Sequence, residues 1–174
     1  MKKSSGIPMA LCVGLALTVS CKGAEKPDDT ATATVDTSSA GTLYARLGGK
    51  DAITAVVDSF VAIVAKDDRI NKKFAQSDIG RVKAMLVEQI CAQTGGPCTY
   101  TGRSMKESHA NLGVTEGEFN ALVSDLLVTL DSYNVAEADQ DMLVSALAPM
   151  KGDIVEVNSD ATGTALPPGF TPKR

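Results

Sequence analysis

The chain has 174 residues, enough for one domain with a real core and short for two, and its formal charge is −4. That balance excludes a broad phosphate-binding surface, so nucleic acid is not an expected partner. Aromatic residues are scarce, with no Trp, three Tyr and four Phe, so a small core built from this chain has little bulk of its own.

The N-terminus reads as an export signal: Lys2 and Lys3, the apolar run MALCVGLALTV at 9–19, which contains Cys12, and then Ser20-Cys21. The run falls short of the roughly 20 residues a transmembrane helix needs. Ser20-Cys21 after LALTV resembles a bacterial lipoprotein cleavage box, which would make Cys21 the lipidated first residue of the mature chain. Thr18 stands where a leucine is usual in that box, with Leu17 one step early. An ordinary cleaved signal is the alternative. Either reading exports the protein, to the periplasm or the cell surface, and the first anchors it to a membrane. Removing 1–20 takes away two lysines and no acids, so the charge falls from −4 to −6. Residues 21–41 are small and polar after Cys21 and read as a flexible tether.

The folded domain is expected over 42–157 and is helical throughout. LYARL at 43–47 predicts a short helix, and Gly48-Gly49 lets the chain turn sharply after it. Ile53, Val56, Val57, Phe60, Val61 and Val64 follow the spacing of one helical face. A further helix is predicted from Ile79 to Thr94, with Ile79, Val82, Leu86 and Ile90 on one stripe and Ser77 or Asp78 as its cap. Gly95-Gly96-Pro97 ends it. Thr115 and Glu118 form a capping box ahead of Phe119, Leu122, Val123, Leu126, Leu127 and Leu130. The final helix is expected at about 138–157, with Leu143, Leu147, Met150 and Ile154, kinked at Pro149. No segment alternates for long enough to make a strand, so the class is all-α. Residues 158–174, with a proline pair and no helical pattern, are expected to form a disordered tail. The charged residues Asp67, Asp68, Arg69, Lys72 and Lys73 are expected to be solvated surface.

His109 is the only histidine, set within YTGRSMKESHANLGVT at 100–115. LYARLGG, the DDRINKKF stretch ending at Phe74, GGP followed by YTGRSMKESH, and LGVT leading into the capped helix resemble, in order and spacing, the group 1 truncated haemoglobins. The resemblance covers about 42–155. It implies a two-over-two helical sandwich around haem b, with His109 as the proximal iron ligand. Phe74 matches the phenylalanine that packs on the haem face, and Met105 an apolar haem contact. Tyr100 and Arg103 fall where a propionate is often met, and Phe119 and Val123 would line the proximal wall. A buried porphyrin would also supply the apolar volume that the scarce aromatics do not.

The resemblance implies binding of diatomic gases (O2, NO and CO) and, with a reductant that the sequence does not identify, nitric oxide dioxygenation. The ligand side departs from the family. Where many members carry a tyrosine and a glutamine that donate to bound oxygen, this chain has Val61 and Leu86, with Val82 at the gate and Phe60 and Ile90 beside them. An apolar pocket disfavours tight oxygen binding. Gln89 or Lys83 could swing in as a donor, although neither lies cleanly on the inward stripe. Met85 has two readings: a residue packed beside the haem edge, or a sixth iron ligand in a redox or electron-transfer module. Cys91 and Cys98 flank the GGP turn, and in an exported protein the pair reads as a disulfide, against a redox or metal pair. A helical protein that has kept the fold and lost the haem is the remaining alternative.

Overall fold

In the computed structural model, which describes residues 41–172, the chain enters its first helix at Thr42, whose hydroxyl accepts the Ala45 N–H. The expected signal segment, with Cys12, and the tether, from Cys21 to residue 40, lie outside the described residues. Helix α1 is only Leu43–Arg46, and Gly48 turns the chain at once into α2, Gly49–Val64. Gly48 has φ +88°, and a Cβ there would meet the Ala52 side chain at 2.8 Å, so the turn requires glycine. The buried face of α2 is Ile53, Val56, Val57, Phe60, Val61 and Val64, as its spacing predicts.

A 3-10 turn at Asn71–Phe74 leads to α3, Ile79–Gln93, capped by the Asp78 side chain on the Arg81 N–H. A loop comes next, then the short α4, Met105–His109, and the long α5, Glu116–Ser132. Helix α6 spans Glu137–Leu147. Pro149 does more than kink the last helix. It sits in a 3-10 turn, Ala148–Met150, that separates α6 from the four-residue α7, Lys151–Ile154. Among the described residues there is no strand, only a bridge between Thr115 and Val157.

Helix α2 packs on α3, α5 packs on α6, and α2 crosses α5, giving two layers of two helices. The core between them is aliphatic, with Val57, Leu130 and Leu143 at 1% exposure. Cys91 and Cys98 are joined by a disulfide that ties the end of α3 to the following loop.

Two expectations are corrected. The segment after 157 carries no helix, yet residues 158–172 are laid against the domain as a strap rather than left as a disordered tail. Ser159 O accepts the Gly117 N–H at 3.0 Å, Gly163 N–H donates to Arg69 O, and Thr164 donates twice to Glu118. The strap passes so close to α5 that a Cβ on Gly117 would lie 2.3 Å from Asp160 O. The second correction is Lys73, which is 5% exposed instead of solvated. Its ammonium donates to Leu112 O, Gly113 O and Ala165 O and lies 3.5 Å from the fully buried Glu118 carboxylate. Charge pairing between residues so far apart in sequence leaves no periodic signal, and the strap is held by backbone and threonine bonds that need none.

Candidate functional site

The domain encloses a cavity of about 830 Å³, within the range of small-molecule and cofactor pockets. Helix α2 contributes Phe60 and Val61 to its wall, and the 3-10 turn contributes Phe74. From α3 come Val82, Met85, Leu86 and Ile90, and from the next loop Tyr100 and Arg103. Met105 and His109 line it from α4, and Phe119 and Val123 from α5. The structure thus brings every one of these sequence-selected residues to one cavity.

His109 sits at the end of α4, a helix started by a capping box in which Ser104 accepts the Glu107 N–H and Glu107 accepts the Ser104 N–H. Its Nδ1 lies 2.8 Å from the Met105 carbonyl. A carbonyl oxygen can only accept, so Nδ1 carries the proton and a neutral ring keeps its lone pair on Nε2. Burial holds the imidazole below its ordinary pKa, although the Met105 bond and the nearby Glu156 charge act the other way. The ring is therefore kept neutral with one nitrogen ready to ligate a metal. This donor, the volume of the cavity and its apolar lining together fit a haem.

The loop before α4 is fixed from several sides. The Tyr100 phenol donates to Arg103 O at 2.8 Å, and Glu88 accepts from both the N–H and the hydroxyl of Thr101. With the disulfide, these contacts hold the loop that carries Tyr100 and Arg103 against α3.

Val61, Val82 and Leu86, the residues at the places expected for the ligand side, line the cavity and offer no hydrogen-bond donor. Lys83 pairs with Asp58 at 2.9 Å, away from the wall. Gln89, by contrast, is 8% exposed and lines the cavity. Its amide donates to Met150 Sδ at 2.8 Å and approaches Met105 Sδ at 3.7 Å, which places it toward α4 and the 3-10 turn after α6. Thioether sulfur is a weak acceptor, so the amide is lightly held. Sequence reasoning placed this residue only at the margin of the inward stripe of Val82, Leu86 and Ile90 and did not settle whether it enters the pocket. It missed Phe170 and Pro172 of the strap, which complete the wall and carry no local signal.

The chain matches the bacterial-like globin family over residues 42–156. It is 32% identical over 123 residues to a group 1 truncated haemoglobin of Mycolicibacterium paratuberculosis, covering 71% of this chain and 86% of that protein. Against the group 1 truncated haemoglobin of Synechocystis it is 38% identical over 100 residues, covering 55% and 81%. Its fold is similar to the truncated haemoglobin of Tetrahymena pyriformis in the Fe(III) form, with TM-score 0.64 and 26% identity over 66% of this chain and 97% of that one. The 2/2 haemoglobin of Synechococcus, in the cyanomet state with covalently attached haem, aligns with TM-score 0.63 and 29% identity over 66% and 98%.

Proposed function

Because the chain belongs to the bacterial-like globins, we propose that its cavity holds haem b, with His109 as the protein ligand to iron, and that it binds diatomic gases there. The observation that carries this reading is the Nδ1 bond of His109 to the Met105 carbonyl, which leaves Nε2 as the ligating nitrogen. The haem would supply the iron at which a gas binds. Phe74, Met105, Phe119 and Val123 would pack against its faces, and Tyr100 and Arg103 would meet its propionates. Val61, Val82 and Leu86 would exclude water from the gas side without stabilising charge on the gas. Ligands that depend little on donors, carbon monoxide and nitric oxide, are favoured over tight retention of oxygen.

Nitric oxide handling in an exported compartment, with a separate reductant and a lipid anchor on Cys21, is the physiological setting we infer from the sequence. A second reading comes from Met85, whose thioether is at the cavity wall among apolar neighbours. As a sixth ligand it would make the protein an electron-transfer module. An absorption spectrum of the purified protein separates the readings. A single broad visible band in the ferrous state with ready carbon monoxide binding supports the first. Sharp split bands without added gas, lost in Met85→Ala, support the second. No Soret band after haem addition, or an unchanged spectrum in His109→Ala, would defeat the assignment.

A further inference from the structure

Helix α4 has five residues, and none of them is buried. Within α4 the Nδ1 bond to the Met105 carbonyl sets the ring, and α4 packs on α7, so the ring's place in the cavity depends on how the ends of so short a helix are held. One of those ends is held by the loop at 110–113. Ala110 leaves α4 with ψ 127°, and Asn111 and Gly113 take positive φ, 67° and 63°. In that conformation the N–H groups of Asn111 and Gly113 converge on one carboxylate. Asn111 donates to Glu156 Oε1 and Gly113 to Glu156 Oε2, each at 2.6 Å. The carbonyls of the same loop are taken by a cation: Lys73 Nζ donates to Leu112 O at 3.0 Å and Gly113 O at 3.1 Å. An acid holds the donors and a base holds the acceptors.

The grip reaches His109 through the backbone, because the Leu112 N–H donates to His109 O at 3.1 Å. Glu156 is itself anchored, since it lies just beyond α7, which packs on α4, and its N–H donates to Val114 O at 2.9 Å. We propose that Glu156 is a positioning residue for His109: by clamping the loop at 111–113 it fixes where α4 ends and so the rotation of the imidazole about its bond to iron. The proposal rests on the haem reading of the cavity. Charge-assisted bonds of this kind are short and directional, which suits a geometric role.

The test uses the full chain loaded with haem and converted to the ferric cyanide complex. There the proton shifts of the haem methyl groups spread according to the azimuth of the proximal imidazole plane. Glu156→Ala is expected to change that spread. Glu156→Gln keeps one acceptor oxygen for the loop and should change it less, in the same direction. Asp153→Asn, which removes an exposed carboxylate on α7 that receives no bond from the loop, should leave the wild-type pattern. If Glu156 served stability alone, Glu156→Ala would unfold more readily but keep the wild-type shifts, and that result overturns the proposal. Should Glu156→Ala fail to fold, wild-type shifts in Glu156→Gln overturn it equally. A wild-type protein that takes up no haem defeats the cofactor reading first and the proposal with it.

Discussion

Replacing Lys73 by Met deletes a buried charge while keeping most of the side-chain volume. The ammonium has three carbonyl acceptors, at 3.0, 3.1 and 3.4 Å, and the Glu118 carboxylate at 3.5 Å. Its loss strands that carboxylate, which has no exposure to water. Breaking a buried pair in this way costs about 3–5 kcal/mol. Glu118 still receives the N–H of Thr115 and the N–H and hydroxyl of Thr164, so the lower end of that range applies. With a urea dependence of about 1.5 kcal/mol per molar, the unfolding midpoint should fall by about 2 M. Adding Glu118→Gln removes the stranded charge, so the double variant should lose less than the sum of the singles by at least about 1 kcal/mol. A Lys73→Met midpoint equal to wild type, or strictly additive singles, would refute the reasoning. The pH dependence has a defined sign. Burial pushes the Glu118 carboxyl up, yet the donors from Thr164 and Thr115 and the Lys73 charge together bring it below its ordinary 4.5. Its contribution is therefore present above that pH and is lost as pH falls through the lower folded value.

The double change Cys91→Ser and Cys98→Ser should lower stability by about 2–3 kcal/mol in chemical denaturation, through the freed loop, with helix content by circular dichroism unchanged. Asp125 has a buried Oδ2 without a hydrogen-bond partner, and burial and the Asp67 charge push its carboxyl up, outweighing the charge of Arg69, which lies 3.3 Å from Oδ1. Asp125→Asn should therefore raise stability at neutral pH by about 1 kcal/mol, and a loss in urea titration would count against this account. In the protein without haem, the depressed pKa of His109 means the unfolded chain takes up its proton first. Stability should fall as pH drops below the ordinary 6.5, and His109→Phe should lack that slope between pH 7 and 5.5. Val61→Tyr places a donor in the apolar wall. It should slow oxygen release by about 10–100-fold, from about 1.5–3 kcal/mol, while changing carbon monoxide release little; equal effects on both gases in stopped-flow would defeat the explanation.

The helices were legible because their apolar residues recur at the helical period and their ends carry caps. Thr115 with Glu118 announces α5, and Ser104 with Glu107 has the same form at α4, but only the first stands ahead of a long apolar stripe that makes it conspicuous. The part of the cavity wall on α3 was legible for the same reason, since residues selected for one face of a helix must meet what that face meets, whereas Phe74, Tyr100, Arg103, Met105 and His109 were placed only by what the family resemblance implies. Polar residues were harder. The capping role of Glu118 is local and readable, whereas its contact with Lys73 joins residues 45 positions apart, as their numbers show. Gln89 stands at the margin of the inward stripe of α3, and only the sulfurs of Met150 and Met105 that receive its amide show that it faces the cavity. Residues 158–172 form no repeating element, so nothing in their pattern distinguishes docked chain from free chain.

The strap makes the cavity depend on chain well beyond its last helix. Phe170 and Pro172 belong to its lining, so the pocket is not complete until the chain has been made and docked as far as residue 172. A nascent chain that has emerged only as far as α7 would present an open-sided groove, and cofactor capture would be favoured only once the strap has followed. For the same reason, a foreign segment inserted just after Pro172 would begin beside the lining, and would perturb cofactor retention more than one inserted just ahead of Thr42.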